Sequence, residues 1–131
     1  MMASAFVAPR KPLLIVEDDP TLRRVLEIAM RHAGFDVDYA ETGAEALAFL
    51  EANGVSAVLM DLGLPYGRTA EVLSWLHAHS DRPPWLVLSA MDPADAAQID
   101  DTIGERFISK PFDPWQLIER VKAMTAEDGG E

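Results

Sequence analysis

Residues 13–20 read LLIVEDDP: four large apolar side chains, an abrupt stop at three consecutive acids, then a proline. A continuous apolar run of this length, bounded by polar residues, is the pattern of a strand buried on both faces. Asp19 before Pro20 pairs a helix N-cap with a first-turn proline. Leu22, Val25, Leu26, Ala29 and Met30 then recur at helical spacing until Gly34. The stretch therefore encodes a buried strand, a polar loop and a helix start, which together open a βα crossover unit.

The same punctuation recurs downstream. Residues 35–40 alternate apolar and acidic side chains as an edge strand does, and 44–52 are rich in helix formers ahead of Asn53-Gly54. Residues 55–60 form another apolar run that stops at Asp61, followed by a loop over 62–68 and a helix over 69–79. A fourth strand over 85–88 ends at Ser89 and leads to a helix over 93–103. A fifth over 106–109 ends at Lys110-Pro111, and Asp113-Pro114 cap and open a last helix in which Trp115, Leu117, Ile118, Val121, Lys122 and Met124 follow the turns. Five strand–helix units with near-continuous apolar strands predict an α/β (βα)5 fold, a doubly wound parallel five-stranded sheet covered on both faces. One domain over residues 12–125 accounts for it, with an N-terminal tail 1–11 and a C-terminal tail 126–131.

Composition agrees with this class. The chain has 131 residues, 49% of them hydrophobic, and 11 basic against 22 acidic side chains give a formal charge of −11. A chain of this length buries roughly two thirds of its unfolded surface, enough for a stable core. The charge leaves no basic field for phosphate backbones, which argues against direct nucleic-acid binding. Zero cysteines exclude thiolate catalysis, Cys-ligated zinc and disulfides together. The opening MMASAFVAPRK puts its positive side chains after a very short apolar stretch, the wrong order for a secretory signal. No run approaches the ~20 apolar residues of a membrane span. The expected location is cytoplasmic, with no membrane insertion.

Right-handed crossovers bring the C-terminal ends of all parallel strands to one edge, and ligands bind there at the switch in strand order. The residues that end the strands are Glu17 and Asp18, Asp61, Ser89 and Lys110. Three carboxylates meeting in one pocket repel one another unless a cation sits among them. With no His or Cys nearby the donor set suits Mg²⁺ rather than zinc. If one carboxylate is a nucleophile toward a phosphoryl group, the metal, the lysine and the serine hydroxyl supply the charge and donors that stabilise the transferring group.

Taken in order, LLIVEDDP, VLMDLGLP, WLVLSA and FISKPF resemble the receiver domain of two-component response regulators, over about residues 12–125. Asp18 to Asp61 spans 43 positions and Ser89 to Lys110 spans 21. The resemblance implies a flavodoxin-like receiver fold and makes Asp61 the phosphoacceptor, taking a phosphoryl group from a sensor histidine kinase or a histidine phosphotransfer protein. It implies that Glu17, Asp18, the Asp61 carboxylate and the backbone carbonyl of Gly63 hold Mg²⁺. Ser89 would bond a phosphoryl oxygen, Lys110 would pair with the phosphoryl group, and Lys110-Pro111 would be cis. Phe107 occupies the aromatic switch position, and the surface that moves is the fourth helix, fifth strand and fifth helix, toward a downstream protein target or a homodimer partner. Such a domain catalyses its own phosphorylation and dephosphorylation.

The chain departs from the family at two places. Pro65-Tyr66-Gly67-Arg68-Thr69 ends in Arg-Thr where the family has an acid and a glycine, so the loop is expected to run differently, with Arg68 adding positive charge near the pocket. Ile103-Gly104-Glu105-Arg106 replaces the usual Gly-Ala-Asp segment. Each candidate also has a plainer reading: the acids as helix-start residues, Ser89 as a turn former, Lys110 as a surface lysine, Phe107 as core. His77 and His79, two apart on a helix, share no face and make no metal pair, and Trp75, Trp85 and Trp115 read as packing or interface residues. Two other functions remain open at this point. A phosphohydrolase on a similar sheet would need a second acid two residues after Asp61, where Gly63 stands, and a phosphorylation-independent docking module would lack Mg²⁺ affinity. A third reading is a receiver excised from a larger hybrid kinase or regulator.

Overall fold

The computed structural model describes residues 11–63, 69–79, 81–99 and 103–129. The elements are β1 (Leu13–Val16), α1 (Pro20–His32), β2 (Val37–Ala40), α2 (Gly43–Ala52), β3 (Ala57–Asp61), α3 (Thr69–Ala78), β4 (Trp85–Ser89), α4 (Pro93–Ile99), β5 (Phe107–Ser109) and α5 (Pro114–Gly129). All five strands pair in parallel, in the order β2-β1-β3-β4-β5. This is the flavodoxin-like, doubly wound arrangement, and the order reverses between β1 and β3.

Every residue of β1, β3 and β4 is buried, as their continuous apolar runs require. Strand alternation divides these side chains between two cores. Leu14, Val16, Val58, Met60, Trp85 and Val87 pack with the buried faces of α2 and α3. Leu13, Ile15, Leu59, Leu86 and Leu88 pack with Leu26 and Met30 of α1 and Leu117 and Val121 of α5. The edge strands are weaker. β2 begins at Val37 rather than at residue 35, with Phe35 packing against the second core, and β5 has three residues, none buried.

Helix ends follow local chemistry. Asp19 caps α1 by accepting from the Thr21 N–H at 3.0 Å, and Gly34 takes a φ of 101° behind it, a conformation that costs glycine little. Thr42 and Glu45 form a reciprocal capping box at α2, with the Thr42 hydroxyl accepting from the Glu45 N–H and the Glu45 carboxylate from the Glu41 N–H. At the far end Asn53, not Gly54, stops the helix, its side-chain amide donating to the Phe49 carbonyl at 3.2 Å. α5 runs to Gly129, past residue 125, with the Thr125 hydroxyl donating to the Val121 carbonyl inside the helix. The N-terminal tail up to residue 10, the 64–68 loop with Arg68, and residues 100–102 at the expected end of α4 lie outside the described residues. Among the described residues no helix is long and apolar enough to cross a membrane.

Candidate functional site

The strand order reverses at β1 and β3, so the residues that follow these strands face one crevice. Glu17 continues β1, its N–H donating to the Ala40 carbonyl at 3.0 Å, and is 1% exposed. Asp61 is the last residue of β3 and is 8% exposed. Asp18 between strand and cap is exposed, yet ligand oxygens of Glu17, Asp18 and Asp61 all lie within 4.8 Å of one another. Lys110 follows β5, held by its N–H on the Ser89 carbonyl at 2.9 Å. Its ammonium lies 3.1 Å from Asp61 Oδ2 and 3.9 Å from Glu17 Oε1. The Lys110-Pro111 bond is cis.

The remaining donors are backbone and hydroxyl groups. The Gly63 N–H donates to Asp61 Oδ1 at 3.0 Å, which fixes the carboxylate plane from one side while Lys110 holds it from the other. Ser89, 4% exposed, ends β4, and its hydroxyl oxygen accepts from the Met91 N–H at 2.9 Å. Glu17 Oε2 accepts from the Asp19 N–H at 3.1 Å, but its buried Oε1 has no hydrogen-bond partner. Burial therefore pushes the Glu17 carboxyl up to about 7, the Asp61 charge pushing the same way against the Asp19 N–H and Lys110. An all-oxygen donor set with a buried, unpartnered carboxylate oxygen fits a hard divalent cation.

The site thus gathers Glu17, Asp18, Asp61, Gly63, Ser89 and Lys110. Phe107 sits apart from them at the start of β5, half-buried and packed against the core on the α2–α3 face. Asp19 serves as a cap only. Of the tryptophans, Trp85 is core at 2% exposed, Trp75 stacks on His79 at 3.9 Å, and Trp115 stands 65% exposed beside His32. Sequence reasoning missed Thr69. It starts the third helix at Thr69, as observed, and notes the departure from the family there, but assigns no partner to its buried hydroxyl, which donates to the Leu62 carbonyl at 3.2 Å. The start of α3 is thereby tied to the residue after Asp61, and a buried threonine opening a helix is the only local signal of it.

These features match known proteins. The model of the response regulator receiver domain matches residues 13–122. A transcriptional regulatory protein, PmrA of Pectobacterium parmentieri, is 35% identical over 119 residues, covering 90% of this chain and 54% of its own length. The chain spans about half the length of the curated relatives it matches. Among solved structures, a response regulator described from Chloroflexus aurantiacus is 31% identical at a TM-score of 0.77, covering 90% of this chain and 99% of its own. A receiver domain protein from Methanospirillum hungatei reaches a TM-score of 0.82 over 93% of this chain and 98% of its own, a likeness of fold at 24% identity. With the matched segment spanning the acids of β1, Asp61, Ser89 and Lys110 alike, this chain belongs to the receiver-domain family of two-component response regulators.

Proposed function

We propose that Asp61 accepts a phosphoryl group from a phosphohistidine on a sensor histidine kinase or a histidine phosphotransfer protein, and that the modified site switches a protein-interaction face. The observation that carries this reading is the pairing of Asp61 Oδ2 with the Lys110 ammonium at 3.1 Å inside a three-carboxylate cluster. One oxygen of Asp61 is the nucleophile: an O–P bond forms as the N–P bond of the donor breaks, and the departing imidazole keeps the electron pair.

The residues of the chain divide the work. Lys110 and the Gly63 N–H hold the Asp61 carboxylate in one orientation before transfer. As charge builds on the phosphoryl oxygens Lys110 follows it, and the Ser89 hydroxyl, whose oxygen accepts from the Met91 N–H, has its own O–H free to donate to a phosphoryl oxygen. A new bond from Ser89 draws on the loop after β4 that its oxygen already ties through Met91, and the β4–β5 pair connects that strand end to β5 and Phe107. Glu17, Asp18, Asp61 and the Gly63 carbonyl would hold Mg²⁺, which would supply positive charge against the developing charge of the phosphoryl oxygens. Hydrolysis by a second acid two residues after Asp61 has no residue to perform it, because Gly63 stands there. The receiver unit is taken as residues 12–125, acting in the cytoplasm on a downstream protein or a second copy of itself.

The test is beryllium fluoride, an aspartyl-phosphate mimic, added with and without Mg²⁺ while backbone amides are followed by NMR. Shifts that require the metal, centre on Asp61, Ser89 and Lys110 and extend to Phe107 are expected. No response in the presence of Mg²⁺ rejects the phosphoacceptor role.

A further inference from the structure

The segment ahead of β5, where the chain departs from the family pattern, gives Arg106 two contacts with one residue. Its guanidinium carbon lies 4.8 Å from the centre of the Trp85 ring, and its Nη1 donates to the Trp85 carbonyl at 3.4 Å. Trp85 itself is 2% exposed and belongs to the core cluster against which Phe107 packs. The His77 ring of α3 meets the indole edge-on at 5.8 Å. The Arg106 backbone is held too: its carbonyl accepts from the Val87 N–H at 2.9 Å, and its N–H donates to the Ile103 carbonyl. From the other side, Arg120 of α5 donates to the Glu105 carbonyl. β5 is an edge strand of three residues with none fully buried, so the side chains of flanking residues add to the packing of Phe107 and Ile108 in holding its entrance.

Phe107 follows Arg106 directly, so the backbone that carries the Phe107 ring is anchored at the residue before it, through the Val87 and Ile103 hydrogen bonds of Arg106. We propose that Arg106 is a positioning residue whose clamp on Trp85 holds the start of β5 and sets how readily Phe107 responds to events at Asp61. The link to Asp61 rests on the phosphoacceptor reading above. Arginine suits the task because a planar guanidinium stacks on indole and donates a directed hydrogen bond at once, whereas lysine offers a point charge alone. The clamp favours the arrangement in which Phe107 packs on the core shared with Trp85. Loosening it removes part of the opposition to displacement, and a ligand at Asp61 that favours displacement must then bind more tightly.

The experiment compares the full chain with Arg106→Lys and Arg106→Ala. Hydrogen exchange of the Val87 amide, the Phe107 ring resonances and the beryllium fluoride half-saturation with Mg²⁺ are measured in each. For Arg106→Ala, exchange at Val87 about tenfold faster against unchanged β1 amides is expected, with shifted Phe107 resonances and a half-saturation lowered about fivefold. Arg106→Lys is expected to fall between. Unchanged Val87 exchange and Phe107 resonances overturn the clamp, as does an acceleration spread evenly over the sheet, which marks general destabilisation. Faster exchange with an unchanged half-saturation overturns the coupling to Asp61. A wild-type chain silent to beryllium fluoride rejects the phosphoacceptor reading and the coupling with it, and the exchange and ring measurements then decide the clamp by themselves.

Discussion

Glu17→Gln isolates the cost of the acidic pocket. The Glu17 carboxyl is pushed from 4.5 up to about 7, mainly by burial, so the folded state binds its proton more tightly than the unfolded state. Stability from this group is full below pH 4.5 and falls as pH rises through about 7. At about 1.4 kcal/mol per tenfold, the fully ionised carboxylate costs about 3 kcal/mol. Gln keeps the shape and an oxygen for the Asp19 N–H that Glu17 Oε2 now serves. Its amide places donors where the unpartnered Oε1 stands, toward the Asp61 carboxylate. The assay is urea unfolding in EDTA from pH 4.5 to 8.5. The two proteins are expected to agree to within about 0.5 kcal/mol at the acid end. At pH 8.5 the variant is expected to be more stable by about 3 kcal/mol, a midpoint higher by roughly 1–2 M urea. Millimolar Mg²⁺ restores the wild type and leaves the variant unmoved. A pH-independent difference, or a wild type more stable than Glu17→Gln at pH 8.5 without metal, refutes the reasoning.

Three further outcomes follow from contacts at the same edge. Asp61→Asn is expected to take up no phosphoryl group from acetyl phosphate, read by mass spectrometry. Its metal-free stability stays within about 1 kcal/mol of wild type, because the loss of repulsion with Glu17 offsets the loss of the Lys110 pair. Lys110→Ala keeps Mg²⁺ affinity within a few-fold by calorimetry but no longer transmits beryllium fluoride binding to the Phe107 amide; a collapse of metal affinity would reassign the lysine. Thr69→Val removes the hydroxyl from the Leu62 carbonyl and lowers stability by about 1 kcal/mol in urea unfolding, with the amide shifts of Leu62 and Gly63 moving first.

The three central strands were legible because a parallel strand covered on both faces must be apolar throughout, and each such run stops at the residue that reaches the site. The edges were less so. Phe35 reads as strand by alternation, yet it packs against the second core ahead of β2, and the Asn53-Gly54 pair suggests a glycine stop where the asparagine amide does the capping. The acids, serine and lysine of the site were found because each lies at a strand end. Thr69 and Arg106 were not found, since their partners, Leu62 and Trp85, are seven and 21 positions away. A hydrogen bond to a distant carbonyl leaves no periodicity in the chain.

The charge arrangement explains why the pocket tolerates its own acids. Lys110 approaches Asp61 to 3.1 Å but remains 3.9 Å from Glu17, beyond hydrogen-bond reach, so it compensates one carboxylate and leaves the buried one strained. Lys110 already lowers the Glu17 pKa in part, and a lysine midway between the two would have lowered it further and made the apo protein more stable above neutral pH. It would also have spread the ammonium between Glu17 and the carboxylate proposed as phosphoacceptor. With Lys110 nearest Asp61, the Glu17–Asp18–Asp61 cluster holds three carboxyl groups against one ammonium, an oxygen donor set that suits a divalent cation. The cost of ionising Glu17 above pH 7 and the fit of the site to a divalent cation therefore have one source, the burial of a carboxylate oxygen that no hydrogen bond serves.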